Sequence, residues 1–233
     1  MNKENIIIVD NSLYITGAFK SILYNCLDLK EHYNFIFIIP KNSKVTKTLE
    51  QHNLKFYQFS FREINRSVVN NLIYPFTLIK NGFHLSRIIK SEKAKLVHTN
   101  DLFNLIGLVG RLFSTYKVIT HVRRLEDSFP KILFTFWVKI HKLFSDQIIC
   151  VSQICASPFL ADNNFTVIYD NLPNKEKYEQ YNVRLNPTKL KIIYLANYNN
   201  GKGQNLAIES INRVVKSGIT NFKMSFSLGV SST

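Results

Sequence analysis

The sequence predicts an α/β fold built on a doubly wound parallel sheet, and three observations support this. Short apolar runs alternate with longer helical patterns along residues 5–169. The runs are apolar at nearly every position, which is typical of strands that are buried on both faces of a parallel sheet. Polar residues follow several of the runs, at the strand ends where an open parallel sheet binds its ligands.

Seven apolar runs are predicted to be the strands of this sheet. Their bounds are Asn5–Val9, Asn34–Ile39, Lys55–Phe59, Lys95–His98, Lys117–His121, Asp146–Val151 and Phe165–Tyr169. Five stretches between them have a helical pattern: Ile15–Leu29, Thr46–His52, Asn71–Lys90, Leu105–Phe113 and Lys131–Phe144. Gly17 marks the turn at the first helix, and Pro40 ends the second strand.

Residues 173–188 break this alternation and predict a linker. The segment contains Pro173, Pro187 and a run of charged residues. We therefore expect an N-terminal α/β domain over residues 1–172 and an incomplete second α/β domain over residues 189–233.

The second domain begins with a strand, a glycine and lysine loop, and a helix. We predict the strand over Lys189–Leu195, the loop over Gly201–Gly203 and the helix from Leu206 to Val215. Such a unit can bind phosphate, because glycines let the backbone approach an anion and a helix N-terminus directs N–H groups at it. Lys202 adds a full positive charge.

The charge balance predicts an anionic partner or surface. Thirty Lys and Arg residues against 16 Asp and Glu give a net charge of +14. A solvated surface rich in lysine is an equally good explanation. Nucleic acid is not expected as a partner, because no base-reading basic helix, RNA-binding strand motif or zinc finger accompanies the charge.

Cysteine usage and the absence of long apolar segments predict a cytoplasmic protein. The three cysteines, Cys26, Cys150 and Cys155, lack metal spacing and indicate a reducing compartment, with Cys150 expected in the core. The N-terminus has no signal-like apolar segment, and no run reaches the roughly 18 apolar residues of a membrane span. At most, the protein is expected to lie on the inner face of the cytoplasmic membrane.

Residues just past the strands are the candidates for a functional site. His121 follows Lys117–Thr120 and precedes Arg123 and Arg124. A histidine there could accept a proton or bind a sugar hydroxyl, and the arginines could clamp a phosphate. An ordinary loop histidine with surface charges is the alternative. His98 is expected to support the site from behind or to orient its turn.

Other signals in the sequence are weaker. Gly17 could belong to a phosphate-binding turn or could let the first helix pack closely on its strand. No GxGxxG, HExxH or DxD motif is present, so neither a nicotinamide cofactor nor a protein-bound catalytic metal is expected. The remaining histidines are predicted to lack partners: His32, His52, His84 and His141.

Residues 131–144 combine lysines with phenylalanine and tryptophan. This pattern is found in helices that lie on anionic lipid. The alternative, a helix that covers the sheet, is favoured because apolar residues occupy nearly every side of the predicted helix.

Six motifs in order resemble a known family. They are the glycine after the first strand, KLVHTND, KVITHVRRL, SDQIICVSQ, FTVIYDNLP and KIIYLANYNNGKGQNLAIES. Together, over about Asn5–Gly229, they resemble the retaining glycosyltransferases of family 4. The resemblance implies the GT-B fold: a Rossmann-like acceptor domain, here residues 1–172, and a Rossmann-like domain that binds a nucleotide sugar without metal.

The resemblance also implies roles for individual residues. His121 matches the cleft histidine near the transferred sugar, and His98, Arg123 and Arg124 are then expected on the acceptor side. Four residues match the donor diphosphate site by position: Gly17, Asn197, Lys202 and Gly203. Ser152 matches an interdomain serine, and Asn171 the asparagine that closes the first domain.

Two departures from the family pattern affect the expected activity. Asn197 stands where the family usually has an arginine, and losing such a charge-assisted contact costs about 1.5–3 kcal/mol of donor binding. The chain also ends before the family's acidic pair, which holds the donor sugar and ribose.

Two functions therefore remain open. The first is transfer of a hexose from UDP- or GDP-hexose, with no permanently bound cofactor, to a cell-surface polysaccharide (capsule or lipopolysaccharide) or a lipid-linked acceptor. The second is a truncated, inactive fragment that retains only an acceptor- or membrane-binding domain, because a partial second sheet exposes strand edges.

Overall fold

The structure is a computed structural model that describes residues 3–64, 67–170, 190–196 and 202–227. Contacts between residues divide the chain into two compact units, Met1–Pro173 and Asn174–Thr233. The predicted linker lies outside the described residues. The domain limits predicted from the sequence, and the roles given to the two domains, stay predictions.

The first unit contains a seven-stranded parallel sheet. Its strands are β1 (Glu4–Val9), β2 (Tyr33–Pro40), β3 (Lys55–Phe59), β4 (Leu96–Asn100), β5 (Lys117–Val122), β6 (Gln147–Cys150) and β7 (Phe165–Val167). They lie in the order β3-β2-β1-β4-β5-β6-β7. The direction of strand addition reverses between β1 and β4, so the carboxyl ends of these two strands flank the crevice where such sheets bind ligands.

Helices cover both faces of this sheet and confirm the predicted doubly wound fold. They are α1 (Gly17–Asp28), α2 (Thr46–Gln51), α3 (Val68–Glu92), α4 (Ile106–Gly110), α5 (Lys131–Phe144) and α6 (Gln153–Ala156). Residues of α1 and α2 form one apolar cluster with β1 and β2. Residues of α3, α4 and α5 form a second, larger cluster with β1, β2, β4, β5 and β6.

Helix α3 is longer than predicted. It begins at Val68 because the hydroxyl of Ser67 accepts a hydrogen bond from the backbone N–H of Asn70, which caps the first turn. Pro75 lies inside the helix rather than ending it. The short helix α6, capped by the Ser152 hydroxyl, was not predicted because four residues carry no clear period.

Helix α5 covers the sheet, as the favoured alternative predicted. Its buried side chains are Phe134, Trp137, Val138 and His141. The prediction that His141 lacks partners is wrong. Its Nδ1 lies 2.8 Å from the Thr120 hydroxyl, and its Nε2 donates to the Leu102 carbonyl at 2.7 Å. These partners are distant in the chain, so spacing along the sequence could not reveal them.

The second unit begins as predicted, with parallel strands β8 (Leu190–Leu195) and β9 (Phe222–Ser227) joined through helix α7 (Gln204–Lys216). This is the βαβ start of a second Rossmann-like domain. In the first unit Cys26, Cys150 and Cys155 are buried and free, which confirms the core position of Cys150. Among the described residues, no helix is long and apolar enough to span a membrane.

Gly82 allows α3 and α4 to approach closely, and this contact can be tested. A Cβ at Gly82 would lie 2.8 Å from Val109 Cγ1 and 3.0 Å from the backbone N of Gly110. We expect Gly82→Ala to lower the free energy of unfolding by about 1–3 kcal/mol, measured by urea denaturation, because backbone must shift.

Gly17→Ala is the matched control for this test. No described heavy atom lies within 4 Å of a Cβ placed at Gly17. Its effect on stability is expected to stay within about 0.5 kcal/mol. Equal effects of the two substitutions would contradict close packing as the reason for glycine at position 82.

Candidate functional site

Two histidines lie side by side near the carboxyl end of the sheet. In the parallel pairing of β4 with β5, His98 is opposite Ile119 and Asn100 is opposite His121. Because side chains alternate along a strand, His98, Asn100 and His121 share one face. The two imidazole rings are 5.3 Å apart, and His98 Nε2 lies 3.3 Å from His121 Nδ1. Both histidines are inside their strands rather than beyond them.

The guanidinium of Arg123 joins this pair to the rest of the strand ends. Its Nε donates to Asn100 Oδ1 at 2.6 Å, and its Nη1 donates to both carboxylate oxygens of Asp170 at 2.8 and 2.9 Å. Its Nη2 lies 3.3 Å from His121 Nδ1. The side chain is only 5% exposed. A charge this buried needs such partners, and Asp170 compensates it.

Asp10 and Asn100 extend the network to β1 and α1. The Asn100 amide donates to the buried carboxylate of Asp10, which also accepts from the backbone N–H of Ser12 at 2.8 Å. Ser21, on α1, donates to Asp170. In the sequence, Asp10, Asn100 and Asp170 follow predicted strands. Their roles could not be predicted, because the sequence does not show which side chains at the strand ends contact each other.

The network fixes the protonation of His121. The Arg123 guanidinium can only donate, so Nδ1 of His121 accepts and its proton lies on Nε2. Burial, together with the neighbouring Arg123 and His98, lowers the pKa of His121 to about 2. Burial, then Arg123, lowers the pKa of His98 to about 4. At neutral pH both rings are uncharged, so His121 is suited to donate a hydrogen bond rather than to accept a proton.

The Nε2 atom of His121 is buried and has no hydrogen-bond partner among the described residues. A buried donor left unpaired costs about 1–3 kcal/mol, so such atoms are uncommon away from functional sites.

Arg124 engages a different set of partners from Arg123. Its Nε lies 3.2 Å from Asp101 Oδ2, and its guanidinium lies 4.9 Å from the centre of the Phe103 ring. Burial raises the pKa of Asp101 to about 6. The Arg124 side chain is 54% exposed. The two adjacent arginines therefore do not form one clamp, and Arg124 remains the more accessible cation.

An aromatic cleft of about 480 Å³ lies beside Arg124. Its walls include Tyr74, Phe103, Phe129 and Trp137, with Glu63 as an acidic lining residue. The Phe129 and Trp137 rings are 5.1 Å apart and nearly perpendicular. Flat apolar faces beside charged and polar groups suit ligands that have both apolar and hydroxyl surfaces.

Gly17 and its surroundings form the start of α1. The Thr16 hydroxyl accepts from the Phe19 N–H at 3.1 Å and caps the helix. The open space beside Gly17 shows that close packing of helix on strand is not the reason for glycine there. The Ala18 carbonyl lies 3.4 Å from the Asn100 amide, so this helix end adjoins the network.

The glycine and lysine loop of the second unit ends at the N-terminus of α7. Gly203 has φ of 73° and precedes the first helical residue, a left-handed conformation that favours glycine. Lys202 is exposed, and its carbonyl accepts a hydrogen bond from the Tyr194 hydroxyl. Asn197 and Gly201 lie outside the described residues. Nowhere in the described ranges do three His, Cys, Asp or Glu side chains form a metal-binding group.

Several solved structures that are similar to this chain have the GT-B fold. HepE of Anabaena, in complex with UDP, matches 98% of this chain and 70% of its own at 15% identity and TM-score 0.63. A glycosyltransferase from Rickettsia africae matches 99% of this chain and 70% of its own, at 16% identity and TM-score 0.61. MurG of Acinetobacter baumannii matches 96% of this chain and 67% of its own, at 12% identity and TM-score 0.56.

These similarities confirm the predicted GT-B-type fold. At such identities they show the fold alone. No family model matches the sequence, and no curated protein matches it. Membership of family 4 therefore stays a prediction.

Arg123 and Arg124 offer a matched test of the network. Arg123→Lys keeps the charge but cannot hold Asn100 and Asp170 together, so we expect a loss of about 1.5–3 kcal/mol in the free energy of unfolding. Arg124→Lys keeps a positive charge beside Asp101, and the Arg124 side chain is 54% exposed, so this change should cost at most about 1 kcal/mol. Urea denaturation at neutral pH measures both, and a larger loss for Arg124→Lys would contradict the network.

The buried histidines predict a loss of stability in acid. Burial also lowers the pKa of His141 to about 4, against 6.5 for a free histidine. Between pH 6.5 and 4 the unfolded chain binds protons that folded His98, His121 and His141 do not, so stability falls as pH falls. Between pH 3.8 and 6, folded Asp101 binds a proton that the unfolded chain does not, which raises stability as the pH falls. This single group opposes three histidines, so the net effect is a loss of stability.

Urea midpoints at pH 7.5 and pH 5 measure this dependence. His121→Asn should reduce the difference between the two midpoints, whereas His84→Asn, at an exposed histidine of α3, should leave it unchanged. A midpoint that does not move between the two pH values would show that the histidines are not buried in the neutral form.

Proposed function

We propose that the protein transfers a hexose from a UDP- or GDP-sugar to a saccharide or lipid-linked acceptor. The observation that carries this is the unpaired Nε2–H of neutral His121, held by Arg123 at the ligand edge of a GT-B-type sheet. One fold can serve several reactions, so this site supports the proposed function more directly than the fold does.

The donor side of the proposal rests on the second unit. The positive φ of Gly203 turns the chain into the N-terminus of α7, where N–H groups and the Lys202 ammonium favour a diphosphate. HepE, of the same fold, is in complex with UDP. Asn197 would contribute a polar contact where the family usually has a cation. The donor is a substrate, and no resident cofactor is proposed.

The acceptor side rests on the first unit. Arg124 and the aromatic cleft would bind the acceptor, with sugar faces or an apolar chain against the rings. His98 and Arg123 would act indirectly, by holding His121 in place. Gly17, with open space beside it, would let a phosphate approach the N-terminus of α1.

In the reaction, the chain would supply position and charge. His121 Nε2–H would donate to a hydroxyl or developing oxyanion of the sugar, and Lys202 would offset the charge that forms on the leaving diphosphate. Retention of the anomeric configuration follows only from the resemblance to family 4. The acceptor would belong to capsule or lipopolysaccharide synthesis on the cytoplasmic side of the membrane, where the positive net charge favours anionic lipid.

Two substitutions test this proposal. His121→Ala should lower transfer from UDP-glucose or a GDP-hexose by about 100-fold or more, since a positioned polar group is lost from the transition state. Lys202→Ala should weaken donor binding by about tenfold or more, measured by calorimetric titration.

The controls are His84→Ala and Lys216→Ala, at exposed positions of α3 and α7. Both should behave as the unmodified chain. Unchanged transfer in His121→Ala would remove the assigned role of His121, and absence of any nucleotide-sugar binding by the unmodified chain would overturn the proposed function.

A further inference from the structure

The N-terminal half of α3 contributes no fully buried side chain to the core, although the partly buried Leu78 packs against it. All the fully buried side chains of this helix, from Asn81 to Ile89, lie in its second half. Every residue from Val68 to Lys80 is exposed or only partly buried. The fully buried contacts of this helix are therefore confined to its second half.

The exposed half is nevertheless apolar on one side. At 3.6 residues per turn, its large exposed side chains fall on the side opposite the buried residues. We call them the α3 outer face: Val69, Leu72, Ile73, Phe76, Ile79 and Phe83. Leu72 is 67% exposed and Phe76 is 75% exposed. An exposed patch of this extent on one helix marks a contact surface.

The same side of α3 becomes basic toward its C-terminal end. Lys80, Arg87 and Lys90 continue the row of the α3 outer face, and all three are exposed. No acidic residue occurs in α3 before Glu92, which is paired with Lys55. The surface is thus an apolar patch followed by a row of positive charge.

The segment after α4, the helix that packs against α3, and helix α5 also carry exposed apolar or basic side chains. The Phe113 ring, just after α4, lies 5.6 Å from the Phe83 ring, and Leu112 beside it is exposed. Helix α5 has no acidic residue and carries the exposed Lys131 and Lys139, whereas its Lys142 is paired with Asp162.

We propose that the α3 outer face docks on an anionic lipid bilayer. The apolar side chains would enter the boundary between headgroups and acyl chains, and the three basic residues would lie against lipid phosphates. A second copy of the chain is a poorer occupant, because pairing this surface with itself would bring like charges together. This membrane contact rests on the proposed function, in which a lipid-linked acceptor would lie in the same bilayer.

Tyr74 connects this surface to the candidate site. It lies on the same half of α3 and lines the aromatic cleft. Tyr74 faces the cleft from the side of α3 opposite the α3 outer face, so the helix that would lie on the bilayer also forms one wall of the cleft.

Vesicle flotation of the unmodified chain tests the surface directly. We expect binding to vesicles that contain phosphatidylglycerol, and weaker binding to pure phosphatidylcholine or in high salt. The double variant Leu72→Ser/Phe76→Ser should reduce binding to the anionic vesicles by about tenfold or more. Its thermal unfolding should be unchanged, because neither side chain is in the core.

Leu206→Ser is the matched control, because Leu206 is also a helical leucine and is 68% exposed. It should bind vesicles as the unmodified chain does. No vesicle binding by the unmodified chain, equal loss in the control, or full binding by the double variant would each overturn the proposal. So would a dimer in solution that the double variant abolishes while vesicle binding persists. Titration with the nucleotide sugar does not require lipid. A chain that binds the donor but not the vesicles would therefore overturn the membrane surface and leave the proposed function standing.

Discussion

A guanidinium group withdrawn from water has to be surrounded by acceptors, and much of the first unit meets that requirement for Arg123. Asn100 at the end of β4, His121 near the end of β5 and Asp170 after β7 all contact it. Asp10 after β1 then holds Asn100. Four segments that are far apart in the chain are therefore tied at one edge of the sheet by a single buried charge.

The same buried charge decides what His121 can do. A cation beside an imidazole disfavours protonation, and burial acts in the same direction. Because Arg123 also occupies Nδ1 as a donor, the ring keeps one tautomer. A histidine in a polar cleft could have served as a base. Here the surroundings instead produce an oriented neutral donor, which suits recognition of a sugar hydroxyl better than proton abstraction.

Much of the fold could be predicted from the sequence because each strand of a parallel sheet is apolar on both faces, and the seven runs showed this. The candidate edge could also be predicted, since residues after strands in such sheets meet. The contacts that tie Arg123 to Asp170 and His141 to Thr120 could not be predicted, because hydrogen bonds between residues 21 to 47 positions apart leave no periodic signal. The α3 outer face was missed because apolar residues on opposite sides of a helix cancel in an amphipathic pattern.

Only the second half of α3 has fully buried side chains. Packing in the core and contact with an outside surface therefore fall on different side chains of this helix. Core side chains are closely packed, so a change in the size of one side chain disturbs several of its neighbours. The large exposed side chains of the α3 outer face, such as Leu72 and Phe76, are not part of the core. Their size and polarity can change without repacking the domain. The exposed side of this half of α3 can therefore vary with the surface that it contacts outside the molecule.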